Sequence, residues 1–420
     1  MMDVQNLSPV RKGIVGVQFL FVAFGATVLV PLLIGLDPAV ALFTAGIGTL
    51  LFHLVTKGKV PIFLGSSFAF IAPIIAATKL YGLAGALGGM VGVAVVYFIM
   101  SALIKLQGRK IIDRLFPPVV IGPVIMLIGL SLSGSAVGNA SHNWILAGIS
   151  LLTAICVLTF CKGLMKLIPV ICGIVVGYIV AVICYPDAVD FSKVLSANWI
   201  QLPAFVKPDI TWAGILFMVP VAIAPVIEHI GDVYAVGAVA GKDFVKDPGL
   251  HRTMLGDGLA CLFSGLLGGP PETTYSEVTG AMSITKVTSP AVIRIAAITA
   301  IVFSVIGKLS ALLQSIPVAV LGGIMLLLFG TIANVGVSNL IQSKVDLTKT
   351  RNIIIVAVTL TTGIGGAVIS WGNFSLSGIG LAAIIGVILN LFLPKDKEEK
   401  TEIVKTDTEK AEEQPTQIEQ

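Results

Sequence analysis

Apolar stretches recur along the chain, separated by short polar or basic interruptions. A helix needs about 20 apolar residues to cross a bilayer core, and by that measure about fourteen spans are predicted. In the first half they lie near 14–35, 38–56, 60–77, 82–106, 117–136, 144–161 and 165–184. The second half offers 210–239, 253–268, 270–285, 289–307, 312–333, 352–371 and 375–394. Two of them read poorly as helices. The third contains Pro61, Gly65, Ser66, Ser67 and Pro73, and the tenth runs PPETTYSEVTGAMSITK and is scarcely apolar. Irregular backbone at membrane depth is tolerated only where it is buried in protein or lines a cavity.

The pattern also repeats. PPVVIGPVIMLIG from Pro117 resembles IPVAVLGGIMLLLFG from Ile316, with a gap of one residue. The alternative is chance similarity between Leu/Ile/Gly-rich helices. The two irregular segments, around Ser66 and Ser276, fall at corresponding places, which argues against chance. With seven spans per half, an odd number, the second copy is inverted relative to the first. Inverted repeats with matching broken segments point to the binding site of a secondary transporter. Gly82, Gly85, Gly88, Gly89 and Gly92 are expected to line one span at small-residue spacing, where they serve close helix packing.

Composition agrees with the pattern. Of 420 residues, 56% are hydrophobic and 12% charged, against about 25% charged in soluble domains. Charge is also unevenly placed. Residues 395–420 hold 5 Lys and 9 Asp/Glu, an acidic cytoplasmic tail expected to be disordered. The rest holds 22 Lys/Arg and 14 Asp/Glu. If the N-terminus is cytoplasmic, 18 of those 22 basic residues fall inside, and only Lys79, Lys193, Lys207 and Lys308 fall outside. That imbalance satisfies the positive-inside rule and puts the tail inside too. The expected organisation is a cytoplasmic N-terminus at 1–13, a first repeat at 14–184, an extracellular loop at 185–209, a second repeat at 210–394 and the tail. The basic clusters form no continuous face, so nucleic acid is excluded as a partner; the partner surface is the lipid bilayer. The N-terminus runs into a long apolar stretch read as a first span, with no cleavable signal peptide. Cys156, Cys161, Cys172, Cys184 and Cys261 form no CxxC pair and have no His at metal spacing, and are expected to be buried apolar side chains. No metal site and no cofactor are expected.

Ionisable groups inside a membrane are costly and default to functional candidates. Five acids fall within predicted spans: Glu228, Asp232, Asp257, Glu272 and Glu277. No Lys or Arg falls within those same spans. Such acids must be protonated, water-exposed or occupied by substrate. Glu228 and Asp232 are four apart and share a helix face, after Pro220 and Pro225, which should distort the helix. His229 points about 100° away from Glu228, either as a hydrogen-bonded packing residue or as part of the site. Asp257 between two glycines fits a packing or a functional role equally, and Glu272, after Pro270-Pro271, is expected in a loop near the outer mouth. The breaks at Gly65–Phe70 and Gly269–Lys286 would expose backbone N–H groups and half-helix N-termini toward a ligand. Phe68 and Tyr275 would add aromatic faces for a flat ring. Glu228 and Glu277 suit a planar heterocycle with alternating N–H and C=O groups, because a carboxylate accepts from ring N–H and a protonated carboxyl donates to a carbonyl. An anion would be a poor guest beside so many acids. An intramembrane aspartyl protease needs a GxGD motif that Gly256-Asp257-Gly258 does not supply, so an enzyme is excluded.

At these residues the chain resembles the nucleobase–ascorbate transporter family (nucleobase:cation symporter 2), in its bacterial uracil-carrying branch. The resemblance runs from FVAFGATVLVP at Phe21 through KGKVPIFLGSSFAFIAP at Lys57 and KDPGLHRTM at Lys246 to SKVD at Ser343. The family signature, Gln/Glu-Asn-x-Gly-x4-Thr-Arg/Lys, maps onto Glu277 through Lys286, with Val278 in place of its Asn. The resemblance implies an all-α polytopic fold of fourteen spans in two inverted repeats, core and gate domains, and short strands in spans three and ten. It further implies uracil import by proton symport across the bacterial plasma membrane, and a homodimer. The substrate contacts it implies are Glu228, Glu277, Phe68, Ser276, Tyr275 and Ala26. Proton coupling is implied at Glu228, His229 and Asp232, the last standing where the family motif Glu-His-x-Gly-His carries its second His. The rival expectations are a purine (xanthine or urate) permease of the same family and an anion transporter of related fold.

Overall fold

A computed structural model describes residues 9–394 apart from 109, 110, 112, 113, 164, 372 and 373, so the acidic tail lies outside the described residues. Of the described residues, 77% are helical. The first half contains α1 (Pro9–Ile34), α2 (Pro38–Val55), β1 (Leu64–Ser66), α3 (Ile71–Gly88), α4 (Met90–Gln107), α5 (Pro118–Leu130), α6 (Ser133–Ala140), α7 (Trp144–Phe160) and α8 (Pro169–Cys184). The second contains α9 (Trp212–Met218), α10 (Ile223–Ala240), α11 (Leu250–Leu266), β2 (Glu272–Thr274), α12 (Ser276–Thr285), α13 (Pro290–Ser304), α14 (Gly307–Gln314), α15 (Val318–Gln342), α16 (Thr350–Ile364), β3 (Val368–Trp371), β4 (Phe374–Ser377) and α17 (Gly378–Phe392). Among the described residues, seven helical runs are long and apolar enough to cross a membrane, counting α5 with α6 and α9 with α10 as one each, and five shorter apolar helices accompany them. Local signals set several ends. Asp37 accepts from Ala39 N at 2.9 Å before Pro38 opens α2, and Asn143 accepts from Ile145 and Leu146 at the start of α7, as N-cap side chains do. Gly241 ends α10 in the left-handed region at φ 64°.

The outer surface is apolar, as a lipid-facing surface must be: Leu152, Phe160, Ile179 and Ile183 on α7 and α8 are all exposed. This also corrects the reading of the cysteines. Only Cys261 is buried, and Cys156 and Cys184 are exposed, because a bilayer accepts a small apolar side chain as readily as a protein core does.

The helices pack in two sets. In one, α2 is held between α11 and α13, α4 lies on α11, and α1 lies on α13. In the other, α15 packs on α5, α6 and α7, α7 packs on α8, and α16 packs on α17. The repeated segments of α5 and α15 pack on each other. A Cβ at Gly129 would lie 2.2 Å from the Phe329 carbonyl, and one at Gly336 would lie 2.4 Å from the Gly122 carbonyl. Rising residue numbers in α5 thus meet falling numbers in α15, so the two copies run antiparallel.

The two ends of the molecule are also distinct. At one, Lys59 meets Asp247 at 2.6 Å and Arg252 reaches the Val55 carbonyl. At the other, Asp37 accepts from Ala204 N, from the Ser310 hydroxyl and from Gln314, and Lys308 donates to the carbonyls of Val194 and Leu195. The linkers after α2 and α10 therefore share one face, and the chain before α2, residues 193–204 and α14 share the opposite one.

Several boundaries differ from the sequence reading. The glycines expected along one span straddle a break, since α3 ends at Gly88, α4 starts at Met90, and Gly82 inside α3 has φ 71°. Their packing role stands: a Cβ at Gly88 would lie 1.9 Å from the Asp209 carbonyl, and one at Gly89 would lie 2.5 Å from that of Gly214. The span at 312–333 is split by Pro317, which caps α15, and α15 continues to Gln342. The span at 352–371 stops at Ile364, and β3 pairs with β4 in a hairpin that hydropathy alone does not distinguish from helix. Pro220 does distort its span, which turns through a 3₁₀ segment, Val219–Ala222, between α9 and α10.

Candidate functional site

The two broken segments meet. β1 and β2 form an antiparallel pair with Leu64 opposite Thr274, Gly65 opposite Thr273 and Ser66 opposite Glu272. Ser67 N donates to the Pro271 carbonyl at 2.8 Å, and Tyr275 N donates to the Phe63 carbonyl at 3.1 Å. These two bonds are counterparts, each extending the ladder one step beyond a strand. A two-stranded sheet buried in helices has two open edges whose polar groups must be satisfied. Side chains do this here. Leu64 N donates to the Thr49 hydroxyl at 2.9 Å, the Tyr275 hydroxyl donates to the Ser66 carbonyl at 3.0 Å, and the Cys261 thiol donates to the Glu272 carbonyl.

A helical turn leaves each strand end. Phe68–Phe70 leads into α3, and Ser276 opens α12; neither start has a side-chain cap. The first N–H groups of a helix have no intrahelical partner, so two sets of donors and two positive dipole ends converge beside the strand pair. Glu277 lies in the first turn of α12. Ser276 Oγ donates to Asp232 Oδ1 at 2.6 Å, tying this turn to α10, while Asp232 Oδ2 is buried without a partner. Glu228, one turn earlier on α10, is partly exposed and lies within electrostatic reach of Asp232, Glu277 and Asp257. The structure thus gathers Glu228, Asp232, Ser276 and Glu277.

The aromatic residues divide. Phe68 is buried with its ring edge-to-face with Phe329, centroids 6.0 Å apart, and Phe329 belongs to α15 in the other helix set. Tyr275 packs on Gly65, where a Cβ would lie 2.4 Å from its ring. Its ring and hydroxyl are both occupied by β1, so it braces the strand pair. Ala26 is buried in α1, beside Thr27, whose carbonyl accepts from Ser66 Oγ at 3.4 Å. Val278 is buried, and its apolar side chain fits that environment.

Glu272 is not at an outer mouth. It is fully buried in β2, accepting from the Thr44 hydroxyl at 2.7 Å. The Pro pair that suggested a loop instead leads into a strand. His229 was legible only as a residue turned away from Glu228. It is fully buried and meets Asp257 Oδ2 at 2.8 Å, Thr274 Oγ1 at 3.0 Å and Thr253 Oγ1 at 2.9 Å. Thr44 and Thr253 are contributors that no sequence signal singled out, because their partners lie on other elements, and Thr274 was visible only as part of the polar run at 272–279. Among the described residues no cluster of His, Cys, Asp and Glu fits a metal ion.

Residues 12–371 match the model described as "Permease family". Among curated proteins, the chain is 49% identical over 404 residues to a "Probable uracil permease" of Haemophilus influenzae, covering 94% of this chain and 97% of that protein. It is 45% identical to the "Uracil permease" of Bacillus subtilis, covering 92% and 93%. With the "Uracil permease" of Escherichia coli K12 the identity is 40%, over 94% of both chains. Among solved structures, the transmembrane domain of a cyanobacterial bicarbonate transporter, BicA, aligns with TM-score 0.62 at 15% identity, covering 90% of this chain and 96% of that one. SLC26A9 aligns with TM-score 0.69 at 12% identity, over 91% of this chain and 64% of that one. At these identities the structural likeness concerns the fold.

Proposed function

This chain belongs to the permease family, and from that premise we propose that it imports uracil by proton symport across the bacterial plasma membrane. The observation that carries the reading is the meeting of two uncapped helix starts, at Phe68 and Ser276, beside Glu228, Asp232 and Glu277. Uracil presents ring N–H donors and carbonyl acceptors in one plane. Glu228 and Glu277 accept from the ring N–H groups, and the backbone N–H groups at the two helix starts donate to its carbonyls. Phe68 packs on the ring. The names of the full-length relatives support the same substrate.

The architecture behind this is fourteen spans in two inverted repeats, residues 14–184 and 210–394. The set holding α1–α4 and α9–α13 is the core, and the set holding α5–α8 and α15–α17 is the gate. The antiparallel packing of α5 on α15 and the symmetric strand pair support inversion. With the Lys59–Asp247 face placed inside, the loops fall as the basic residues require, and both termini are cytoplasmic. Protonation of an acid in the Glu228/Asp232 group admits uracil, and rocking of core against gate releases both inside. Phe68 and Phe329 mark where the two sets meet at the ligand.

The test is uptake of radiolabelled uracil by proteoliposomes with and without an imposed pH gradient. Glu228→Gln and Glu277→Ala are each expected to lower uptake at least about 100-fold, the loss of charged hydrogen bonds at two ring positions. Unchanged uptake in both would refute the site, and uptake indifferent to pH and to a protonophore would remove the proton. Strong competition by xanthine would favour a purine permease. The fold likeness to anion transporters is set against three acids around the helix starts, and uptake insensitive to sulfate separates the two.

A further inference from the structure

Five buried or half-buried acids gather between α10, α11, β2 and α12, and no Lys or Arg occurs in α10, β2 or α12. Arg252, at the start of α11, points to the Val55 backbone. Hydrogen-bond accounting points to a place for a positive charge. The Thr253 hydroxyl has a single proton, which it donates to the Leu250 carbonyl at 3.0 Å. At His229 Nε2, 2.9 Å away, it is therefore the acceptor, so Nε2 carries hydrogen. On the other side of the ring, Nδ1 lies 2.8 Å from Asp257 Oδ2, a separation that needs a proton between the two atoms. The Thr274 hydroxyl gives its one proton to that same oxygen at 3.4 Å, so toward Nδ1, 3.0 Å away, it accepts, which places the shared proton on Nδ1 and leaves Asp257 a carboxylate. Both ring nitrogens then donate, and the ring is an imidazolium.

Resting on the uracil-transport reading above, we propose that His229, Asp257 and Thr274 form a buried ion-pair clamp that positions the ligand-facing start of α12. Thr274 is the last residue of β2, and Tyr275 and Ser276 follow it directly. Its hydroxyl lies between the imidazolium and the carboxylate, 3.0 Å from the first. The clamp fixes β2 against α10 and α11, and so fixes the N–H groups of α12 and the Glu277 side chain relative to Glu228. His229 and Glu228 are neighbours on α10, so the clamp and the ligand site share a helix. These are positioning residues, because His229 and Asp257 are fully buried behind the strand. The titratable groups that face Asp257 are Glu228 and Asp232 on α10, Tyr97 on α4, Cys261 on its own helix and Glu272 on β2. All of these are neutral or negative, which leaves His229 as the cation of the group.

The experiment uses the full chain in lipid nanodiscs, with two readouts. The first is uracil affinity by calorimetry for wild type, Thr274→Val and Thr274→Ser. Thr274→Val keeps the shape but loses the hydroxyl and is expected to weaken uracil binding about tenfold, while Thr274→Ser stays within about twofold of wild type. The second is ¹⁵N-histidine NMR, in which His229 is doubly protonated in wild type and singly protonated in Asp257→Asn. Wild-type affinity in Thr274→Val, or equal weakening in Thr274→Ser, overturns the clamp. So does a neutral His229 in wild type, a measurement that needs neither a folded variant nor a ligand. If wild type binds no uracil, the transport reading fails, and the histidine spectrum still decides the clamp.

Discussion

The two broken segments share a backbone and differ in chemistry. On the β1 side the sequence is Leu64-Gly65-Ser66-Ser67-Phe68, small and apolar; on the β2 side it is Glu272-Thr273-Thr274-Tyr275-Ser276-Glu277, polar and acidic. Both make a three-residue strand, both continue the ladder by one further N–H bond, and both end in an uncapped helix start. A repeated fold can therefore supply symmetric main-chain donors, while the acidic side chains beside them come from one copy alone. The polar copy is also the one held by other polar groups: Thr44 on Glu272, His229 on Thr274 and Asp232 on Ser276. The apolar copy is held through its backbone, by Thr49 on Leu64 N and the Tyr275 hydroxyl on the Ser66 carbonyl, with the Tyr275 ring packed on Gly65.

Substitutions can break this comparison to different degrees. The largest effect is expected at Gly65. Gly65→Val drives a branched side chain into the Tyr275 ring, 2.4 Å from the ideal Cβ, and separates the strands. Overpacking of this kind costs about 1–3 kcal/mol or more, so thermal unfolding in detergent should show a lowered transition and uptake should be lost. A wild-type melting profile would mean that the strand pair is not close-packed as described.

Phe68→Ala should come next. It keeps the backbone donor on the apolar side and removes the ring, so uracil affinity should fall about tenfold, the order of one lost aromatic contact and its buried area. Calorimetry on Phe68→Ala and Phe68→Leu separates the ring from mere bulk; equal weakening in both assigns the effect to the ring, and wild-type affinity in Phe68→Leu would assign it to volume.

Tyr275→Phe probes the bond between the copies. Losing the hydroxyl that donates to the Ser66 carbonyl should cost about 1 kcal/mol of stability, read as a small fall in the melting transition with the substrate preference unchanged. A change in uracil affinity larger than the stability loss would instead make Tyr275 a direct ligand contact.

The smallest effect is expected for Lys59→Ala. This removes an exposed ion pair with Asp247, side chains 45% and 66% accessible, worth about 0–1 kcal/mol. Uptake near the wild-type rate is expected, and a severe loss would show that this linker contact controls the site.

Much of the site was legible in the chain because each of its parts has a local signature. Polar residues at 272–279 inside a membrane-spanning pattern, prolines at 220 and 225, and acids four apart at 228 and 232 are all visible without a fold. The boundaries read less well. Whether residues 368–377 form helix or hairpin, and whether 82–92 form one helix or two, depends on turn geometry at glycines that hydropathy averages away. Glu272 was misplaced for a related reason, since Pro270-Pro271 looks like a loop until its strand partner, more than 200 positions earlier, is in place.

The sequence by itself determined that this is a membrane protein, where its acids are, and that two of its spans are broken, because apolar length, charge count and helix-breaking residues act locally. Only the tertiary structure decided that the breaks pair with each other, that Tyr275 serves the strands, and that His229 meets Asp257 and Thr274. Those outcomes depend on hydrogen bonds between distant elements, and a side chain's protonation is set by the partners that the fold brings to it.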